Sequence, residues 1–205
     1  MLLSLHKRRK GCNVWMGSGR MGDSVSNAVR LVPPNPALLD EYAAALRTGW
    51  SPNNEQDMSG EHLAAIAADP AAFLAEFPWA PGKTIKVADG TMRPRLPDAT
   101  YWIVDDAFCG RINFRHVPGT VDLPPWATGH IGYSIVPWKR RRGIATAALR
   151  LMLPIAAAAG LERVFLTTNP HNIPSQKVIL GAGGVLDGVL PNGATLGYWI
   201  DTGGG

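Results

Sequence analysis

The sequence predicts an α/β domain with a mixed, mostly antiparallel central sheet flanked by helices. Three observations carry that expectation. Short apolar runs bounded by Gly, Pro, Asn and Asp recur along the chain and read as strands. Leucine, isoleucine and alanine at helical spacing mark helices before, between and after those runs. The longest helical pattern, 143–160, separates two strand patterns, so strands and helices interleave.

Taken in order, residues 28–32 form a first strand stopped by Pro33 and Pro34. Asn35 can cap the next helix, with Pro36 in its first turn and Leu38, Leu39, Tyr42, Ala43 and Leu46 to bury. A second helix begins at Ser59 or Gly60 and a third, short one at Pro70. Residues 79–97 hold three prolines and two glycines and read as a loop. The runs 99–104 and 108–114, separated by Asp105-Asp106-Ala107, give a hairpin. A second loop covers 117–128, and a strand at 130–136 leads into an arginine turn. The helix at 143–160 should kink at Pro154, which lacks a backbone donor. A strand at 164–168 and a helix at 174–182 follow, and 185–190 pairs with 195–200 as a final hairpin.

Length and composition suit one soluble domain: 205 residues, with 46% apolar and 18% charged side chains. No apolar run approaches the roughly 20 residues of a membrane helix, and the amino-terminal stretch is not a secretory signal. Cys12 and Cys109 read as unpaired thiols of a reducing compartment, and a cytoplasmic location is expected. Residues 1–30 carry six basic side chains against one acidic, whereas the rest carries 14 basic and 15 acidic. The basic excess therefore belongs to an extension at 1–27, read as disordered, ahead of a single domain at 28–201 and a glycine-rich tail at 202–205. A near-neutral body argues against a nucleic-acid-binding face.

The stretch 135–145 carries the chemistry. An apolar strand runs into Pro137, then Arg140, Arg141 and Arg142, then Gly143 at the head of the long helix. The first amides of a helix lack intrahelical partners and carry partial positive charge. Gly143 allows close approach to that backbone, and the arginines add charge around it. A diphosphate fits such a turn. A solvated basic turn is the plain alternative for residues 139–142. There is no metal-ligand spacing, no Walker loop and no G-x-S-x-G, so no metal is expected.

Arg140-x-x-Gly143-x-Ala145 resembles the acyl-CoA signature of the GNAT superfamily of N-acetyltransferases. Tyr101-Trp-Ile-Val-Asp, Gly110-Arg-Ile-Asn-Phe-Arg-His116, Gly129-His-Ile-Gly-Tyr133, Leu161-Glu-Arg-Val164 and Asn172-Ile-Pro-Ser175 extend the likeness, in the same order, to a bacterial group of predicted acetyltransferases. The resemblance implies a GNAT fold, with a splay between the fourth and fifth strands, and acetyl-CoA as cosubstrate. It implies that the backbone of Ile135 and Val136 contacts the pantetheine arm, and that the turn from Arg140 through Ile144 to Ala145 holds the diphosphate. It also places Asn172 and Ser175 near the thioester, although both suit a plain helix cap.

For catalysis, the resemblance puts His130 where relatives often carry a glutamate base, and an imidazole can take a proton near neutral pH. Strand parity can equally turn His130 away from the cleft. Ser175 is the second candidate catalytic group. Relatives often have a tyrosine acid four residues later, where this chain has Ile179. Arg115, His116 and Tyr133 are candidate acceptor-binding residues, and Tyr198 and Trp199 are aromatics for the cleft or the core. The expected activity is acetyl transfer to a primary amine of a small molecule or peptide in a ternary complex. A silent acyl-CoA-binding module is the first rival, a nucleic-acid binder using the basic tail and the Arg140 cluster is the second, and a homodimer is compatible with the pattern.

Overall fold

A computed structural model describes residues 28–54, 56–87 and 89–203. The extension expected at 1–27, with Cys12, lies outside them, as do the last two residues of the expected tail. Thr202, the first residue of that tail, donates its amide to Glu162 O at 2.9 Å.

Two sheets form the middle of the molecule. The first runs β1 (Arg30–Val32), β4 (Asp98–Val104), β5 (Phe108–Arg115) and β6 (Ile131–Ile135), in that order. The second holds β7 (Arg163–Thr168), β9 (Leu196–Asp201) and β8 (Val185–Val189), with β9 between the other two. Helix α4 (Ile144–Ala158) connects β6 to β7, and α5 (Ile173–Gly181) follows β7. Among the described residues every ladder is antiparallel, and none joins β6 to β7. The two sheets part there. They meet around His130, whose amide donates to Phe165 O at 2.7 Å, and Thr167 Oγ1 donates to Thr128 O beside it.

Alternation on β4 and β5 builds a core on each face. Ile103, Ile112 and Phe114 face α4, whose buried stripe is Ile144, Ala148, Leu149, Met152, Leu153 and Ala156. That spacing is one helical face, and burying each large side chain contributes roughly 1.5–3 kcal/mol. Trp102 and Phe108 point the other way, beneath α1 (Leu39–Arg47), α2 (Ser59–Ala68) and α3 (Pro70–Ala75). Tyr42 stacks on Trp102 with ring centroids 4.8 Å apart and meets Trp50 edge-on at 5.7 Å. Asn35 caps the turn before α1 by accepting from the Ala37 amide, and Asp69 caps α3.

Two expectations need correction or refinement. Residues 79–97 are not all loop: β2 (Thr84–Lys86) and β3 (Met92–Pro94) pair as a small exposed hairpin. Its signal was Asp89-Gly90 at the turn, where Gly90 takes φ 84° and the Asp89 carboxylate accepts from the Thr91 amide. The prolines masked it, yet Pro94 sits at the strand's end, where a missing donor costs little. Helix α4 continues past Pro154, which lies on its exposed side. Water can satisfy the carbonyl left without a partner there.

Candidate active site

Below the parting of the sheets lies a cavity of about 920 Å³. Its floor is the turn after β6 together with the first residues of α4, and its wall is the start of α5. Within the described residues, the amides of residues 141–146 find no acceptor in the chain, and the first α4 amide to find one is Ala147, on Gly143 O. Arg141 is the one described non-glycine residue with positive φ, at 60°, and Gly143 takes φ 75°. Such backbone strain costs about 1 kcal/mol or more and collects at ligand sites. Nothing stands within 4 Å of where a Gly143 side chain would begin. A row of free amides, open space and neighbouring arginines together suit a diphosphate.

The structure brings most of the predicted cofactor residues to this cavity: Ile135, Arg140, Arg141, Gly143, Ile144, Ala145, Asn172 and Ser175 line it, with Tyr133. Two stand apart. Val136 is fully buried in the aromatic cluster; its amide donates to Cys109 O and its carbonyl accepts from Lys139, so nothing of it is left for a ligand. Arg142 is exposed and does not line the cavity. The β5 register turns the Ile135 backbone away from β5, but Arg140 Nε already donates to Ile135 O at 2.9 Å. The Ile135 amide is what remains for a ligand arm.

Lys139 is not part of a solvated basic turn. It is 9% exposed, and its ammonium bonds Asp105 at 2.8 Å and Asp106 at 2.7 Å, fastening the β4–β5 turn to the cavity floor. Burial opposes ionisation of Asp105. The hydrogen bonds it shares with Asp106, Lys139 and the Ala107 amide outweigh that and hold the carboxyl well below its usual range.

At the other end, Tyr133 Oη lies 2.8 Å from Ser175 Oγ, and Asn172 caps α5 by accepting from the Ser175 amide at 3.2 Å. Burial pushes the Tyr133 phenol up to about 12, keeping it protonated. Asn54, from the segment between α1 and α2, donates to Tyr133 O at 2.7 Å and also lines the cavity. Asn54, Thr146 and Lys177 were not found from sequence. Asn54 has no motif around it, and Thr146 and Lys177 follow only from helix phase.

A second cavity of about 570 Å³ lies on the α1–α3 side of β5. Alternation explains its lining: Ile112 and Phe114 face the core, and Arg111, Asn113 and Arg115 face the cavity. Polar alternation on an inner strand was the signal for Arg111 and Asn113, which sequence reasoning missed. Arg115 does line this cavity, but its Nε donates to Gly129 O at 2.6 Å and so braces the loop before β6. His116 stacks on Phe114 with centroids 5.1 Å apart and lines neither cavity. Tyr198 is core, and Trp199 packs on Phe165 under the Arg163 guanidinium.

His130 lines neither cavity either. It is wholly buried at the seam of the sheets, where Nδ1 accepts the Phe165 amide at 2.8 Å. Burial, helped by Arg115 and His116, pushes its pKa down to about 4. A sealed, weakly basic imidazole cannot collect a proton from an amine in either cavity. It is a joint between sheets. Because its folded pKa lies below the unfolded value of about 6.5, the unfolded chain takes up the proton first as pH falls. Stability from this residue is therefore complete above pH 6.5 and declines between pH 6.5 and 4. Between pH 7.5 and pH 5, urea unfolding should lose about 1–2 kcal/mol less stability in His130→Gln than in the wild type, the rest of the loss coming from His62, which burial also holds down.

Cys109 is buried and its thiol is pushed up to about 12 by burial, so it is no nucleophile. Among the described residues no group of His, Cys, Asp and Glu is arranged to hold a metal, and no helix is long and apolar enough to cross a membrane.

The profile of the family described as "Acetyltransferase (GNAT) domain" matches residues 31–185, and the chain belongs to that family of acetyltransferases. Its fold is similar to that of Mycobacterium smegmatis RimJ in complex with CoA-disulfide, with 21% identity over 86% of this chain and 84% of that one and a TM-score of 0.58. A putative ribosomal-protein-serine acetyltransferase from Vibrio cholerae is similar too, with 17% identity over 86% and 95% of the two chains and a TM-score of 0.54. So is the Salmonella typhimurium acetyl transferase that modifies the N-terminal serine of ribosomal protein L7/L12: 15% identity over 86% and 96%, TM-score 0.53. At these identities the likeness is one of fold. A comparison with curated proteins finds no match.

Proposed function

We propose that the protein moves an acetyl group from acetyl-CoA to a primary amine of a small molecule or peptide, by direct attack in a ternary complex. The observation that carries this reading is the row of unpartnered amides at 141–146 on the floor of the 920 Å³ cavity. Those amides, with Arg140 and Arg141, hold the diphosphate. The Ile135 amide, facing away from β5, aligns the pantetheine arm. The thioester supplies an activated acyl group, and the acceptor reaches it from the 570 Å³ cavity, which Asn53 lines, while the adjacent Asn54 lines the 920 Å³ cavity.

Ser175 holds the position from which a proton reaches the departing sulfur. Ile179 cannot supply one, but Tyr133 Oη lies beside Ser175 Oγ and stays protonated at neutral pH. The serine hydroxyl donates, and the tyrosine replenishes it. Glu61 is the carboxylate lining the acceptor cavity without an ion pair, since Glu76 is held by Lys83 and Asp98 by Arg95. It replaces His130 as the group that takes the amine proton, through water.

An acetyl-CoA turnover screen over amino acids, polyamines, aminoglycosides and peptide N-termini tests the reading. Ser175→Ala should lower kcat by roughly 10- to 100-fold with acetyl-CoA affinity kept, and Tyr133→Phe by somewhat less. Saturable acetyl-CoA binding with no turnover on any acceptor would instead support the silent binding module.

A further inference from the structure

Arg111 lines the acceptor cavity from the middle of β5 and, among the described residues, has no carboxylate within ion-pair distance. Its hydrogen bonding is correspondingly poor. The guanidinium reaches Thr100 Oγ1 at 3.4 Å, at the edge of what counts as a bond, and its Nε is sealed from water without an acceptor. The neighbouring charges compensate it only in part: Asp98 favours the guanidinium's charge while Arg95 opposes it. Asp98 is already engaged by Arg95 at 2.9 Å, and Glu76 by Lys83 at 2.7 Å. His62, also on the wall, is bonded to Tyr42 Oη at 2.6 Å and is kept neutral by burial and by Arg111 itself.

A desolvated cation without a counter-charge is costly, and proteins rarely keep one without a use. The cavity is of small-molecule size, and α2 and β2 contribute to its lining. We infer that the acceptor amine carries an anionic group, a carboxylate by preference, and that Arg111 binds it. Arg111 holds that charge by a fork of N–H donors. Thr100 and Asn113, on the same wall, complete a polar cradle. The free amine then lies toward the thioester and Glu61. The identity of the amine end rests on the acetyl-transfer reading. The anion site does not.

Two measurements on the full chain separate these claims. The first compares kcat/KM for amines that differ only in charge: β-alanine against β-alaninamide, and glutamate- against glutamine-containing dipeptides, with phosphoethanolamine as the phosphate arm. The wild type should favour the carboxylate members by about 10- to 100-fold, through KM. Arg111→Met should erase the preference by raising KM for the carboxylate members toward that for the neutral ones, and Arg111→Lys should restore part of it. Preference for phosphoethanolamine over every carboxylate would move the assignment to a phosphate. Equal use of charged and neutral amines by the wild type, or a preference that survives Arg111→Met, would overturn it.

The second measurement needs no turnover. The wild type should gain thermal stability with added β-alanine or glutamyl dipeptide, and Arg111→Met should not. The ligand-free variant should also melt no lower than the wild type, because it loses an uncompensated charge. A variant that melts well below the wild type, with the ligand-induced gain retained, would make Arg111 a structural residue. Failure of turnover with the anion-dependent stabilisation intact would count against acetyl transfer alone.

Discussion

Replacing Gly143 with glutamate should lower acetyl-CoA affinity by roughly 100-fold or more while the chain stays folded. The two effects separate because of where Gly143 sits. No atom lies within 4 Å of the position its side chain would take, so the fold has room for one. The residue does hold φ 75°, and a side chain there costs about 1–2 kcal/mol. The added carboxylate would stand over the free amides of residues 141–146, where the account places the diphosphate, and would repel it. Gly143→Ala, with the same backbone cost and little bulk, should lose much less affinity. Calorimetric titration of both variants, with urea unfolding as the control, checks the pair. Equal acetyl-CoA affinity for wild type and Gly143→Glu would remove the diphosphate from this turn.

Lys139→Met should have the largest effect on stability, about 3 kcal/mol, which is roughly 6–12 °C in Tm for a chain of this size. The Lys139 and Asp105 side chains are each 11% exposed, so removing the ammonium leaves a carboxylate buried without its cation. Asp106 is 68% exposed and loses little. The double variant Lys139→Met, Asp105→Asn should recover part of the loss, since the uncompensated charge is then gone. The acid limb gives a second check. Asp105 has a folded pKa below the unfolded value of about 3.9, so its contribution is present above that pH and lost as pH falls through the folded value. That acid-dependent loss should be smaller in Lys139→Met. A single variant as stable as the wild type would show that the pair does not hold the cavity floor to the β4–β5 turn.

Much of the fold was legible because apolar period and punctuation agreed. The α4 stripe, the Asn35 cap, the helix start at Pro70 and the hairpin at Asp105-Asp106-Ala107 all follow from local rules. The β2–β3 hairpin was not, because its prolines imitate a loop and no core faces it. The cavity floor at 135–145 was legible for the same local reason: a glycine and basic residues at a strand-to-helix turn mark amides that the chain itself leaves without acceptors. The acceptor half depends on contacts between distant segments. His130 looked like a base because imidazoles often are one. Whether it faces a cleft or the seam against Phe165 is fixed by a bond 35 residues away in sequence. Arg111 could have been suspected from the polar alternation of β5. Its lack of a counter-charge could not, since Asp98 reads as an available partner until Arg95 is seen to hold it.

The proposed acyl-CoA site crosses the parting of β6 and β7, on the amides of residues 141–146 and against the start of α5. Hydrogen–deuterium exchange of the full chain with and without saturating acetyl-CoA tests it most directly. The account predicts slowed exchange at the amides of residues 141–146 and at Ile135, whereas the interior of β9, already paired on both sides, should be unchanged. Binding with no protection at 141–146, or no saturable binding at all, would contradict it.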